Sequence, residues 1–304
     1  MARIAHLAVQ VTDISAPSQL LENVFGFIHT GTVTHPTTTF NATDATGGHT
    51  SRHLSDGVTD LTLVKYDDDA TAEPGSSEHS GPSIHHFGIE AQQPQAFAAA
   101  IGANGGEVLS AAGMATLKFR AAGGIVAEVV PPNWFSRETI AVNAERRKNG
   151  LQPMATPAPA SLQASSPPVD DRRPRLTHIA IKVEDVQKIS MFFERVFGFV
   201  VFAEYWERDH LAKHLTDGTL DLAIVRFDKN TDASRASGSG RCIHHFGIDV
   251  PEREMRVYTK RLLDQGCEFI SDPGAVTVKF RLPGGGALAE IAPIGWHLRT
   301  TAKP

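Results

Sequence analysis

The sequence predicts an α+β fold of two tandem domains, each built from paired βαβββ modules around a curved mixed sheet. Three observations predict it. Ile84-His85-His86-Phe87-Gly88-Ile89 returns as Ile243-His244-His245-Phe246-Gly247-Ile248, and a six-residue identity with paired histidines marks an internal repeat. Around that anchor the two halves restate each other: Val24-Phe25-Gly26-Phe27 as Val196-Phe197-Gly198-Phe199, and His53-Leu54-Ser55-Asp56-Gly57 as His214-Leu215-Thr216-Asp217-Gly218. His178 follows His6 by 172 positions and His245 follows His86 by 159, so the copies differ in loop length. Within each half, short alternating segments follow an amphipathic helix twice.

Residues 3–11 alternate like a half-buried strand, with His6, Ala8 and Gln10 on one face and Leu7, Val9 and Val11 on the other. Ser15 to Val24 carries a helical pattern that Gly26 stops. A Thr-rich strand-like stretch covers 28–40, Thr50–Leu54 leads to the Asp56-Gly57 turn, and Asp60–Tyr66 is a further strand. Residues 67–82 are acidic, hold Gly and Ser, and read as a loop. The opening strand type then returns at His86, followed by a helix over 94–103 and short strands at 107–109, 116–120 and 125–130. Ala-, Ser- and Pro-rich composition marks 139–172 as a linker. The expected division is a first domain over 1–138 and a second over 173–304.

Composition narrows the function classes. The chain has 304 residues, 41% apolar and 21% charged, which suits two globular domains, each with its own core. A net charge of −5 without a basic stripe makes nucleic acid a poor partner. No segment reaches the roughly 18 apolar residues of a membrane span, and the N-terminus has no signal-peptide pattern. Two cysteines, Cys242 and Cys267, without CxxC spacing fit a reducing cytoplasm. The expected partner is a small molecule; monomer and homo-oligomer both stay open.

Strand parity points to chemistry. His6 and His86 occupy the polar face of their strands, and Glu128 shares a face with Val126 and Val130. His178, His245 and Glu290 repeat the arrangement. Two imidazoles and one carboxylate on three strands form a facial set that binds a divalent ion and leaves about three positions open. Fe(II) is favoured, with Mn, Ni, Co or Zn as alternatives that ligand type does not separate. His85 and His244 point to the helix side by parity and read as packing residues or as partners that orient a neighbouring ligand. His53 and His214, beside the Asp-Gly turns, are candidate acid/base groups, or strand-end histidines that meet solvent. Lys118 and Arg120 alternate with Phe119, as Lys279 and Arg281 do with Phe280; a basic set facing inward implies an anionic or enolate-like substrate, an aromatic set an apolar wall. Trp134 and Trp296 are expected to pack across domain ends, and Tyr205-Trp206, unmatched in the first half, to shape a distinct second pocket.

The repeated His-x-Ala-Val or His-x-Ala-Ile strand, the helix ending in Val-Phe-Gly-Phe, the Asp-Gly turn and the His-His-Phe-Gly strand resemble the vicinal oxygen chelate superfamily of glyoxalases, bleomycin-resistance proteins and extradiol dioxygenases. That resemblance implies a metal-holding cup in each domain, with His6, His86 and Glu128 as ligands in the first and His178, His245 and Glu290 in the second. Thr62 and Ala223 stand where glyoxalase-like members carry a fourth ligand. Phe280 and Ser271 stand where extradiol enzymes often carry Tyr and His. The implied activity is a non-haem Fe(II) dioxygenase acting on a catechol-like substrate with vicinal oxygens. The alternatives are a glyoxalase- or epimerase-like lyase or isomerase, and a non-catalytic binding protein.

Overall fold

The computed structural model describes residues 2–35, 48–67, 83–156, 173–206, 209–228, 231, 236, 241–284 and 286–298. The acidic loop beyond Asp67, the end of the Thr-rich stretch and residues 157–172 of the linker lie outside the described residues.

Four βαβββ modules follow one another. The first holds β1 (Arg3–Gln10), α1 (Ser15–Phe25), β2 (Ile28–His35), β3 (His49–Ser55) and β4 (Asp60–Tyr66). The second holds β5 (Ser83–Glu90), α2 (Ala98–Ala103) behind a 3-10 turn at Pro94–Phe97, then β6 (Glu107–Val108), β7 (Leu117–Arg120) and β8 (Val126–Val130). After α3 (Arg137–Lys148), the third holds β9 (Arg175–Lys182), α4 (Val186–Phe197), β10 (Val200–Trp206), β11 (His210–Thr216) and β12 (Asp221–Phe227). The fourth holds β13 (Cys242–Val250), α5 (Met255–Asp264), β14 (Glu268–Phe269), β15 (Val278–Arg281) and β16 (Leu288–Pro293).

In each module the first and last strands pair in parallel and the remaining neighbours are antiparallel. Modules join within a half through β1 against β5 and β9 against β13. The halves meet where Ile84 of β5 pairs with Ile243 of β13. The repeated Phe-Gly-Phe closes a helix: Gly26 and Gly198 take φ of 72° and 74°, and the chain turns back so that the flanking phenylalanines are buried.

The apolar strand faces do not form two separate cores. Leu7, Phe87, Ile179 and Phe246 belong to one apolar cluster that spans both halves. Phe25 of α1 stacks on Tyr258 of α5 at 5.9 Å, and Phe119 of β7 meets Phe192 of α4 at 6.0 Å. Helices of one half thus cover elements of the other, the shortest way to hide both helix layers from water. The Asp-Gly turns tie the halves as well. Asp56 accepts from the Leu176 backbone N–H at 2.8 Å, and Asp217 accepts from Ile4 N–H. Each turn thereby anchors the other half's opening strand, two residues before His6 or His178.

The stretch expected to open the linker is structured. Ser136 caps α3 by accepting from Thr139 N–H, and α3 sits on β2, where a Cβ at Gly31 would come within 2.6 Å of Ile140.

Candidate metal centre

His6, His86 and Glu128 present ligand atoms that all lie within 4.8 Å of one another. Their ring nitrogens are oriented by neighbours. His6 Nδ1 lies 2.7 Å from Asp60 Oδ2, so the Nδ1 proton goes to that carboxylate and Nε2 keeps its lone pair for the cup. Asp60 also holds His53 Nδ1 at 3.2 Å and accepts from the Thr62 hydroxyl at 2.6 Å. His86 Nδ1 faces His85 Nδ1 at 2.6 Å, which turns His86 Nε2 toward Glu128 Oε1, 3.5 Å away. Phe135 stacks on the His6 ring at 4.0 Å.

Two sequence expectations change here. His85 does not point to the helix side. Between the Ala8/His86 and Val9/Ile84 pairs the ladder slips by one residue, and the bulge turns His85 onto the cup face beside His86. His244 sits in an equivalent slip between Ile243 and His245, with its Nδ1 2.8 Å from His245 Nδ1. Trp134 does not serve as a domain-end contact alone; it lines the first-half cavity.

The basic set faces inward. Phe119 and Phe280 are fully buried in the core, while Lys118 lines the cavity and Lys279 reaches Glu290. Thr62 lines the cavity and serves Asp60 and His53. Ser271 accepts from the Lys279 backbone N–H, a turn role.

The first-half cup opens into a cavity of about 270 Å³. His6, His53, Thr62, His86, Lys118 and Glu128 stand at one part of it. Burial keeps His86 below the usual imidazole range despite the pull of Glu128. Burial alone would raise Glu128, but His86, His6 and Lys118 together hold its carboxyl below the usual range. Asp60 goes the same way, far down, through His53 and His6. Neutral imidazoles and ionised carboxylates are the states a metal site needs.

The second half keeps the residues and changes the contacts. His178 Nδ1 lies 2.7 Å from Asp221, which also holds His214 Nδ1 at 2.9 Å. His178 Nε2 and His245 Nε2 are 3.2 Å apart, and His245 Nε2 is 3.7 Å from Glu290 Oε2. Glu290 is already engaged, by Lys279 Nζ on Oε2 and by His297 Nε2 at 3.3 Å from Oε1, off the line of a well-formed hydrogen bond. His297 stacks on His178 at 4.0 Å, in the place Phe135 takes in the first half. His178, Asp221 and His297 also form a convergent donor group; Asp221, on the Nδ1 side of His178, is placed to orient that ring. Burial and His297 push His178 down to about 4, and burial and Lys279 hold His245 well below its ordinary value. The Tyr205 hydroxyl meets His214 Nε2 at 2.7 Å, while Trp206 is exposed under Arg226.

Sequence reading missed Asp60, Asp221, Phe135 and His297. A signal existed for the aspartates, since each follows its strand histidine by the same interval, His53 to Asp60 and His214 to Asp221. The stacked pair also sits at matched positions, each directly after its tail tryptophan, Trp134 to Phe135 and Trp296 to His297, but sequence spacing carries no sign that those rings reach the site.

A duplicated cup of paired βαβββ modules with inward histidines and a carboxylate defines a class. Residues 3–123 and 175–281 match the model of the Glyoxalase/Bleomycin resistance protein/Dioxygenase superfamily. The chain belongs to that superfamily. It is similar in structure to a mutant of 4-hydroxymandelate synthase from Streptomyces coelicolor, at 17% identity and a TM-score of 0.63 over 95% of this chain and 92% of that one. The 2,3-dioxygenase LapB from Pseudomonas sp. KL28 gives 15% and 0.59 over 99% and 95%. The 2,2',3-trihydroxybiphenyl 1,2-dioxygenase from Sphingomonas wittichii strain RW1 gives 12% and 0.55 over 95% and 89%. At these identities the likeness is one of fold. No curated protein matches the chain.

Proposed function

We propose that the chain is a metal-dependent dioxygenase whose working centre lies in the first half and whose substrate is small and catechol-like, with two neighbouring oxygens. One observation carries the reading: His6, His86 and Glu128 converge on an open cavity, whereas Glu290 is held by Lys279, with His297 close to its other oxygen. The donor set fits a divalent ion, because the 3.5 Å between His86 Nε2 and Glu128 Oε1 is near the spacing of donors bound about 2.1 Å from a shared centre. Fe(II) is the favoured ion, with Mn, Ni, Co or Zn as alternatives, and when bound it supplies Lewis acidity and O2 activation.

The chain's own residues do the rest. His53 has Nδ1 on Asp60, so Nε2 is the atom that takes a proton from a substrate hydroxyl in the cavity. The counterpart His214 has that nitrogen on Tyr205, which favours the first half again. Lys118 places positive charge beside Glu128 for an ionised substrate oxygen. Phe135, Trp134 and Val33 give the ring an apolar wall that excludes water. The buried thiols Cys242 and Cys267 suit a reducing compartment.

Elemental analysis of protein purified without air tests the reading. About one equivalent of iron is expected, lost in Glu128→Ala and kept in Glu290→Ala. Oxygen uptake with a catechol should vanish with it. Zinc or nickel without oxygen uptake would replace the proposal with a lyase or isomerase, and no metal after reconstitution would leave a binding protein.

A further inference from the structure

The two halves exchange a carboxylate, and each carboxylate divides its oxygens between two duties. Asp217 lies in the turn after β11. Its Oδ1 accepts from the Thr219 and Leu220 backbone N–H groups at 2.8 and 2.9 Å and so holds its own turn. Its Oδ2 accepts from Ile4 N–H of the first half. Asp56 does the reverse: Oδ1 takes the Val58 and Thr59 N–H groups at 2.8 and 2.7 Å, and Oδ2 takes Leu176 N–H at 2.8 Å. Ile4 and Leu176 are both buried, and a buried backbone N–H needs an acceptor.

At Ile4 the sheet is incomplete on one side and irregular on the other. β4 begins at Asp60, opposite His6, and runs on beside Gln10, so it does not reach back to Ile4. On the other side β1 pairs with β5, and there Ile4 faces Ile89 while His6 faces Gly88. Two steps along β1 thus match one step along β5, which leaves Ala5 as a bulged residue. A bulge bends its strand and re-aims the side chains beside it. The direction in which His6 leaves β1 therefore depends on how the chain enters the bulge. Asp217 fixes that entry at Ile4, and Asp60 grips the far side, with Oδ2 2.7 Å from His6 Nδ1.

We propose that Asp217, a residue of the second half, is a positioning residue of the first-half metal centre: it pins the Ala5 bulge and thereby aims His6 Nε2 into the cup. The inference rests on the reading of His6, His86 and Glu128 as the working centre. It makes that centre complete only in the presence of the second half. The reciprocal contact, from Asp56 to Leu176, precedes an equivalent bulge before His178, in the half whose carboxylate Lys279 holds. The divided carboxylate also makes asparagine a poor substitute. An amide keeps one acceptor oxygen, and its NH2 group then faces a second donor either in the turn or at Ile4.

Co(II) titration of ion-free, full-length protein tests the role, read by visible absorption and by competition with a chromophoric chelator. Wild type should bind one Co(II) whose bands vanish in Glu128→Ala. Asp217→Asn should raise the dissociation constant about 10-fold, the lower end of the loss expected when a partner that orients a ligand is removed. It should also shift the Co(II) bands, because one donor changes its angle. Gly198→Ala is the control for stability alone: it strains the second half away from Ile4, and should lower the melting temperature with wild-type affinity and bands. Asp217→Glu keeps a carboxylate in a displaced position and should fall between wild type and Asp217→Asn. It is the deciding variant should Asp217→Asn not fold. Wild-type affinity and bands in the Asp217 variant that folds, or an equal loss in Gly198→Ala, overturns the positioning role and leaves the centre standing. Wild-type Co(II) binding in Glu128→Ala, or no binding by wild type, overturns both.

Discussion

Gly88→Ala is the sharpest single perturbation of the centre. Gly88 lies across the ladder from His6, and a Cβ there would sit 3.0 Å from His6 Cβ, 3.3 Å from His6 Cδ2 and 3.4 Å from Phe135 Cε2. Carbon atoms rest comfortably at about 3.5–4.0 Å, so His6 must retreat by roughly 0.5–1 Å. Asp60 grips its Nδ1 at 2.7 Å and Phe135 covers its ring, so the retreat is resisted. Overpacking of this kind costs about 1–3 kcal/mol. With an unfolding entropy of about 2.1 cal/mol/K per residue, that lowers the melting temperature by about 2–5 °C. A donor that binds near 2.1 Å loses its place under the same displacement, and ion affinity should fall about 10-fold or more. Scanning calorimetry with and without added ion reads both effects. Gly247→Ala is the matched control: its Cβ would meet His178 Cβ at 2.9 Å and His297 Nε2 at 3.2 Å. It should cost similar stability and leave oxygen uptake intact. Wild-type ion affinity in Gly88→Ala, or lost uptake in Gly247→Ala alone, would refute the assignment of the centre to the first half.

Further outcomes follow from the same contacts. Asp60→Asn removes the acceptor shared by His6 and His53 and should weaken ion binding by about 10- to 100-fold in a competition titration. Lys279→Met releases Glu290, so iron per chain should rise above wild type by elemental analysis. In ion-free protein, His178 is depressed to about 4, His86 and His245 are depressed too, and the unfolded chain takes up their protons first, from about 6.5 downward. Their stabilising contribution is complete above about 6.5 and is lost as pH falls toward 4; Asp249, raised to about 6, acts in the opposite sense. Urea titrations across that range should show midpoints falling with acid. Gly198→Ala forces a side chain to a φ of 74° and should cost about 1 kcal/mol with no change in ion binding.

The repeat, the module order and the candidate ligands were legible because each rests on local regularity. Period-two alternation put His6 and His86 on the polar strand face, Gly26 and Gly198 announced their helix ends, and duplication separated signal from chance. That logic failed where the backbone broke its own period. The slip at His85 changes the face of one residue, and alternation carries no trace of a bulge. The linker composition likewise hid α3, whose capping Ser136 and stripe of Ile140, Asn143 and Arg147 became meaningful only once β2 lay beneath them.

The sequence by itself determined the α+β class and the fourfold module pattern, since these follow from residue periodicities that each segment carries alone, and its repeated motifs carried the resemblance to the superfamily. The tertiary structure decided what each donor set is free to do. Glu128 and Glu290 share a sequence environment. Lys279 reaches Glu290 and His297 stands 3.3 Å from its other oxygen, while Glu128, beside His86 and Lys118, lines the first-half cavity. The core, too, was settled there. Amphipathic helices state which face needs covering and not what covers it, and helices of the two halves found the nearest apolar surface in each other.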